Sequence, residues 1–137
     1  KALRHQDKHL SVSRVLLDET EVLAGFYTLA MAQVDFGALP PDMGKSLPRR
    51  PVPVAVLAWL GVASTHQGRG LGRLLLAQAL RDCYEAGKTF AFVAVILDCL
   101  NEEAKAFYQA FDFLELPGHP LRLYLSAQRL RAMMETG

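Results

Sequence analysis

Two short segments of the chain are almost unbroken runs of apolar residues. They are 54–62, VAVLAWLGV, and 89–97, TFAFVAVIL, both rich in Val and aromatics and bounded by turn formers. Strands buried on both faces look like this, and such strands are usually parallel. The segment between them, GLGRLLLAQALRDCYEAG, has a different period. Its polar positions Arg73, Arg81, Asp82 and Glu85 fall near one side of a helix, and Leu71, Leu74, Leu75, Leu80, Cys83 and Tyr84 cover the rest. Gly87 is the expected stop. Strand, helix, strand at this spacing predicts a right-handed βαβ unit.

Upstream, residues 11–18 alternate for half their length, and a second strand-like run extends from Val22 to Phe36. With the polar turn Glu19-Thr20-Glu21 between them, they predict a β-hairpin, in which Gly25 marks a bend. Residues 1–10 are polar and basic and read as the end of a helix. Residues 37–53 hold five of the seven prolines, so they predict a long loop, carrying Lys45, Arg49 and Arg50. Downstream, Asn101 is placed to cap a helix with Glu102 and Glu103 in its first turn, ending near Asp112. DFLEL and LRLYL read as strands around Pro117-Gly118-His119-Pro120, and the tail 127–137 as a short helix or a frayed end. The whole is a mixed α/β order.

Composition narrows the classes. A chain of 137 residues is one domain of ordinary size, and 51% hydrophobic against 21% charged residues is enough to fold. The net charge of +1 excludes a polybasic protein that coats nucleic acid by charge alone, though not a local basic patch. Two cysteines make neither a disulfide framework nor a zinc site. No apolar run reaches membrane-spanning length and no signal peptide opens the chain, so a cytoplasmic, reducing location is expected.

The chemistry points to Gln67-Gly68-Arg69-Gly70-Leu71-Gly72, where the first buried strand hands over to the helix. Glycines let the backbone turn tightly, and the first helical turn leaves amide N–H groups unpaired. Those donors and the helix dipole suit a phosphate or diphosphate, to which Arg69 adds a charge. The spacing is neither the dinucleotide GxGxxG nor a P-loop. On this segment alone, a tight turn without ligand reads equally well.

The segment resembles the acyl-CoA-binding motif of the GNAT family of N-acetyltransferases, Gln/Arg-x-x-Gly-x-Gly/Ala, matched by Gln67, Gly70 and Gly72. Downstream, Asn101, Ala104, Phe107, Tyr108 and Phe113 resemble that family's second signature, with Asp112 where the family usually has Gly. Asp tolerates a left-handed helix end. Residues 24–30, the Arg49-Arg50-Pro51 stretch and QGRGLG extend the likeness, over residues 20 to 125, to the acetyltransferase toxins of bacterial toxin–antitoxin pairs. Against those toxins, Trp59 stands where Arg is usual and Ala63 where Asp is usual.

The resemblance implies a single N-acetyltransferase domain over 1–137. Its sheet would be mostly antiparallel, with one parallel βαβ pair forming an acetyl-CoA cleft. The family's first strand and helix have no counterpart in this sequence, which would leave a sheet edge uncovered. It implies transfer of an acetyl group from acetyl-CoA to an amine, with the α-amino group of aminoacyl-tRNA as acceptor in a toxin. A small amine or protein amine is the alternative acceptor, and a CoA-binding module without turnover the alternative role. Leu60, Gly61 and Val62 would pair with the pantetheine amides as an added strand does. Gln67, Gly68, Arg69, Gly70, Leu71 and Gly72 would hold the diphosphate, with Asn101, Ala104 and Phe107 completing the cofactor site. Tyr108 is the candidate acid for the leaving thiolate, since a phenol titrating near ~10 keeps its proton at neutral pH. A free α-amine titrates near ~8 and an ester on the same carbon lowers that further, so an aminoacyl ester needs little help from a base. Partners implied are an antitoxin protein and a second copy of the chain.

The remaining candidates divide more evenly. Arg49 and Arg50 read as tRNA phosphate contacts or as a solvated loop, and Trp59 as a substrate platform or, preferred, as strand packing. His5, His9, His66 and His119 lack metal-ligand spacing, and His66 reads as a solvated loop residue. Cys83 and Cys99 read as buried, inert thiols. Arg14, Arg122, Arg129 and Arg131 are candidates for extending a basic face.

Overall fold

The two apolar runs become neighbouring parallel strands with a helix crossing between them. The structure is a computed structural model and describes residues 3–5, 11–35, 39–40 and 51–136. In chain order it contains β1 (Leu3–His5), β2 (Ser11–Leu17), β3 (Leu23–Val34), β4 (Val52–Val62), a 3-10 turn (Ser64–His66) and α1 (Leu71–Gly87). Then come β5 (Ala94–Asp98), α2 (Glu102–Gln109), β6 (Leu114–Leu116), β7 (His119–Ser126) and α3 (Ala127–Thr136). One sheet runs in the order β1-β2-β3-β4-β5-β7-β6. Every described pairing is antiparallel except β4 with β5.

The expected hairpin is β2–β3 and the expected crossover is β4–α1–β5. Two expectations are corrected at the ends of elements. Residues 3–5 form an edge strand against β2 instead of a helix, because the β2 edge presents unpaired backbone groups that an extended chain satisfies. The second apolar run enters the sheet only at Ala94. Phe90 N–H is still donated to Ala86 O at the helix end, and Phe92 is spent on the core. The tail is a helix, with Leu130 fully buried. The expected loop keeps only Leu39, Pro40 and the residues from Pro51 onward within the described residues, so Lys45, Arg49 and Arg50 lie outside them.

The main core gathers Leu75, Leu76, Ala79, Leu80 and Cys83 of α1, Tyr27, Leu57, Val95 and Leu97 of the sheet, and Leu130 of α3. Leu74, expected on this face, is exposed. Asp82, expected in solvent, instead accepts bonds from the Tyr27 hydroxyl and from Gln78 Nε2 (3.0 Å) and pairs with Arg14 Nε at 2.9 Å. A smaller cluster of Val54, Ala94, Ile96 and Leu116 lies on the opposite face.

Two glycines act through space, not through a bend or a stop. A Cβ on Gly25 would stand 2.6 Å from Leu75 Cδ1 and 2.9 Å from Gly61 O, so its bare Cα lets α1 approach the sheet. Gly87 lies inside α1, where a Cβ would press on the Phe92 ring at 3.2 Å.

The feature that shapes the site is a bulge in β4. Thr28 pairs with Trp59 and Leu29 with Leu57, which leaves Ala58 without a partner. An extra residue shifts the alternation of side chains by one. Leu57 and, beyond the bulge, Leu60 and Val62 therefore all face the helix-side core, while Trp59 turns to the other face and is 61% exposed. The parallel ladder of β4 with β5 is confined to Ala55–Val95 and Val56–Ile96. Past that point the strands diverge, and the β4 edge from the bulge to Val62 is open on the β5 side.

Candidate active site

The glycine-rich junction lies at the end of this open edge. Gly68 (φ 82°) and Gly70 (φ 75°) are both left-handed, with nothing within 4 Å of where a Cβ would be. Gly70 is the N-cap of α1 and no side chain caps the helix. The first amide of this stretch to find a backbone acceptor is that of Leu74, which donates to Gly70 O at 3.2 Å. The N–H groups from Gln67 through Arg73 have no protein acceptor among the described residues. A row of unpaired donors at a helix N-terminus is an anion site. Arg69 has no ion-pair partner among the described residues, and Arg73 lies 5.7 Å from the centroid of the Phe111 ring. Gln67 itself is tied back, donating Nε2–H to Val62 O at 3.3 Å.

The second motif packs on the first. Asn101 caps α2 by accepting from Ala104 N–H at 2.8 Å, with Glu102 and Glu103 in the first turn as expected. The Asn101 side chain is thereby committed to holding the helix. Phe107 Cζ lies 3.7 Å from where a Cβ on Gly72 would stand, so the two signatures touch at that point. Asp112 takes the left-handed conformation (φ 72°) that its place in the motif requires, and its carboxylate pairs with Arg129.

Tyr108 stands next to Phe107, with ring centroids 5.1 Å apart, and edge-on to Phe113 at 5.9 Å. Its hydroxyl has no hydrogen-bond partner among the described residues. Burial, reinforced by the nearby Cys99 thiol, pushes its pKa up to about 12. Burial also pushes the Cys83 thiol up to about 12, with Asp82 adding to it, and raises Cys99, so both remain inert thiols at neutral pH. Tyr108 is thus a protonated phenol beside the end of β5, with its proton uncommitted.

Three expectations are corrected here. His66 is buried, 7% exposed, and both ring nitrogens are engaged, by Thr65 Oγ1 and Asp18 Oδ2 at 2.8 Å each, so it is not a solvated loop residue. Trp59 is exposed, so it does not pack within the sheet. Arg14, Arg122 and Arg129 each pair with a carboxylate, of Asp82, Asp98 and Asp112, which removes them from a free basic face. A cavity of about 520 Å³ between α1 and strands β2–β3, lined by Val12, Met31, Ala86 and Phe92 among others, contains neither the junction nor Tyr108. Among the described residues no group of three metal-binding side chains converges, and no helix is long and apolar enough to cross a membrane.

The short parallel ladder, the open β4 edge and the helix N-terminus with unpaired amides together form a cleft suited to an extended ligand that carries a phosphate. The chain belongs to the acetyltransferase (GNAT) family, whose model matches residues 2–113. It is 38% identical over 112 residues to a tRNA-acetylating toxin of Mycobacterium tuberculosis, covering 82% of this chain and 67% of that protein. The fold is that of AtaT in its complex with acetyl-methionyl-tRNAfMet, with a TM-score of 0.83 at 23% identity over 93% of this chain and 77% of AtaT. It is likewise that of an AtaT mutant toxin bound to the C-terminus of the antitoxin AtaR and acetyl-CoA. There the TM-score is 0.75 at 19% identity, over 93% of this chain and 74% of that one.

Proposed function

We propose that this chain acetylates the α-amino group of aminoacyl-tRNA with acetyl-CoA, in the cytoplasm, as the toxin of a toxin–antitoxin pair. The observation that supports the cofactor site is the run of unpaired amides from Gln67 to Arg73 beside the open β4 edge. The residues present fit the group: the left-handed Gly68 and Gly70 leave open space over the donors, and Gly72 adds no side chain. Gln67, Gly68, Arg69, Gly70, Leu71 and Gly72 would hold the diphosphate, and Leu60, Gly61 and Val62 the pantetheine amides. Phe107 and Ala104 would wall the cleft, while Asn101 serves it indirectly as the cap of α2.

Acetyl-CoA supplies the activated acetyl group as a thioester. The site's own residues then have two tasks. Backbone donors and the open strand edge fix the thioester in place, and such positioning accounts for much of the barrier in bimolecular transfer. Tyr108 protonates the departing thiolate as the amine nitrogen bonds to the acetyl carbon. The amine's surplus proton, passed through solvent, restores the Tyr108 phenol. An aminoacyl ester suits a site built without a dedicated base, because the ester lowers the pKa of the adjoining α-amine below its ordinary ~8.

The tRNA acceptor is supported by the likeness to the tRNA-acetylating toxin. Trp59, exposed at the bulge on the face away from the helices, offers a platform for a base or an aminoacyl side chain. Arg49 and Arg50 are proposed as phosphate contacts on the loop before β4. The test is transfer of labelled acetyl from acetyl-CoA to purified aminoacyl-tRNA, against free polyamine and peptide amines. Transfer to the amines alone would replace the acceptor. CoA binding without thiol release on any amine would replace the enzyme by a binding module.

A further inference from the structure

His66 and Asp18 lie 48 residues apart in sequence and are joined by a hydrogen bond between His66 Nε2 and Asp18 Oδ2 of 2.8 Å. Asp18 sits in the turn between β2 and β3. Its other oxygen, Oδ1, accepts from Thr20 N–H (2.8 Å), Thr20 Oγ1 (2.7 Å) and Val22 N–H (3.0 Å). These bonds hold the carboxyl well below the usual carboxylate range, Thr20 contributing most. An ionised carboxylate only accepts, so Nε2 of His66 carries the hydrogen, and Nδ1 shares a hydrogen bond with Thr65 Oγ1 at 2.8 Å. His66 N–H is itself donated to Ala63 O, and Ala63 N–H to Ala24 O of β3, both at 2.8 Å.

His66 is the last residue before the glycine-rich junction. The next four residues include two left-handed glycines in open space, the most freely rotating kind of backbone. On the far side the stretch is fixed by α1. On the near side the buried imidazole is the side chain that pins it to the hairpin turn. We infer that His66 and Asp18 are positioning residues: they preorganise the junction amides for the coenzyme diphosphate without touching it. This rests on the reading of the junction as the diphosphate site. Ordering a loop in advance saves on binding the entropy that would otherwise be lost there.

The experiment compares wild type with His66→Leu, His66→Gln, Asp18→Ala and the Asp18→Ala/His66→Leu double variant. CoA affinity is measured by calorimetry, and KM for acetyl-CoA and kcat by thiol release. The expected result is a loss of CoA affinity of about tenfold in H66L and in D18A, with kcat held within about twofold. Gln places an amide N–H near the position of Nε2, so H66Q recovers most of the affinity. The double variant is no weaker than either single one, because both remove the same bond. Wild-type affinity in H66L, or additive losses in the double variant, overturns the inference. Equal falls in kcat and affinity that track the loss of folded protein also overturn it, leaving a purely structural pair. If H66L does not fold, D18A in the partly exposed turn carries the same comparison. A wild-type chain that binds no CoA defeats the reading of the site instead, and the two failures are thereby distinct.

Discussion

The Phe107 ring rests over Gly72, with Cζ 3.7 Å from where a β-carbon would stand. That separation is ordinary contact, so the protein itself has room for a methyl group there. A coenzyme lying on the first turn of α1 would not. Gly72→Ala is therefore expected to stabilise the free protein by about 0.5–1 kcal/mol through helix propensity. It should at the same time weaken CoA binding about tenfold. Thermal unfolding and calorimetry on one preparation check both halves.

Tyr108→Phe removes the uncommitted proton and little else, since its ring contacts to Phe107 and Phe113 remain. Turnover should fall by about 10²–10⁴-fold with CoA affinity unchanged. Because the wild-type phenol keeps its proton up to about pH 12, kcat should show no loss of this acid between pH 9 and about 10.5. A decline centred near ~10 would place the hydroxyl in bulk solvent.

Gly25→Ala tests the closeness of α1 to the sheet. The added methyl meets Leu75 Cδ1 at 2.6 Å and the backbone oxygen of Gly61 at 2.9 Å, and the backbone cannot give way as a side chain can. A destabilisation of about 1–3 kcal/mol is expected in denaturant unfolding.

Asp18 gives the fold an acid-sensitive clasp. Its carboxyl titrates below its unfolded value, so the stability it contributes is fully present above about pH 4. That contribution is lost as the pH falls below that value toward the folded pKa. The melting temperature of Asp18→Ala should lie below wild type at pH 7, and the gap should narrow as the buffer is taken from pH 5 to pH 2.

Substituting Trp59 tests the proposed acceptor side apart from the cofactor side. Trp59→Ala should raise KM for aminoacyl-tRNA about tenfold, as the loss of one stacking contact does, and leave CoA affinity intact. Equal KM values would return Trp59 to a surface residue without a role.

Much of this could be read from the chain because the signals were local. The βαβ unit follows from two apolar runs around one helical period, and the α2 cap from Asn101 and two glutamates. Asp112 could be expected to take a left-handed turn from its own chemistry. What could not be read depended on partners distant in sequence. His66 is buried because Asp18, on a separate hairpin, accepts its proton. Asp82 falls on the polar side of α1 by counting, yet Tyr27 and Arg14 reach it from two different strands. The one signal for either was chemical: a histidine directly before a glycine turn, and a carboxylate one position before a core cysteine. Residues 54–62 carry no mark of the bulge, because a continuous apolar run has no alternation to interrupt.

The unpaired Ala58 is also the residue that β4 could lose without turning over. With it removed, Thr28 would still meet Trp59 and Leu29 would still meet Leu57, now along an unbroken ladder. Trp59 would stay on the outer face, and Leu60 and Val62 on the helix side. What such a deletion would take away is the local kink and extra twist that a bulge puts into a strand. The single surplus residue therefore sets the direction in which the end of β4 is aimed, while the facing of its side chains is independent of it.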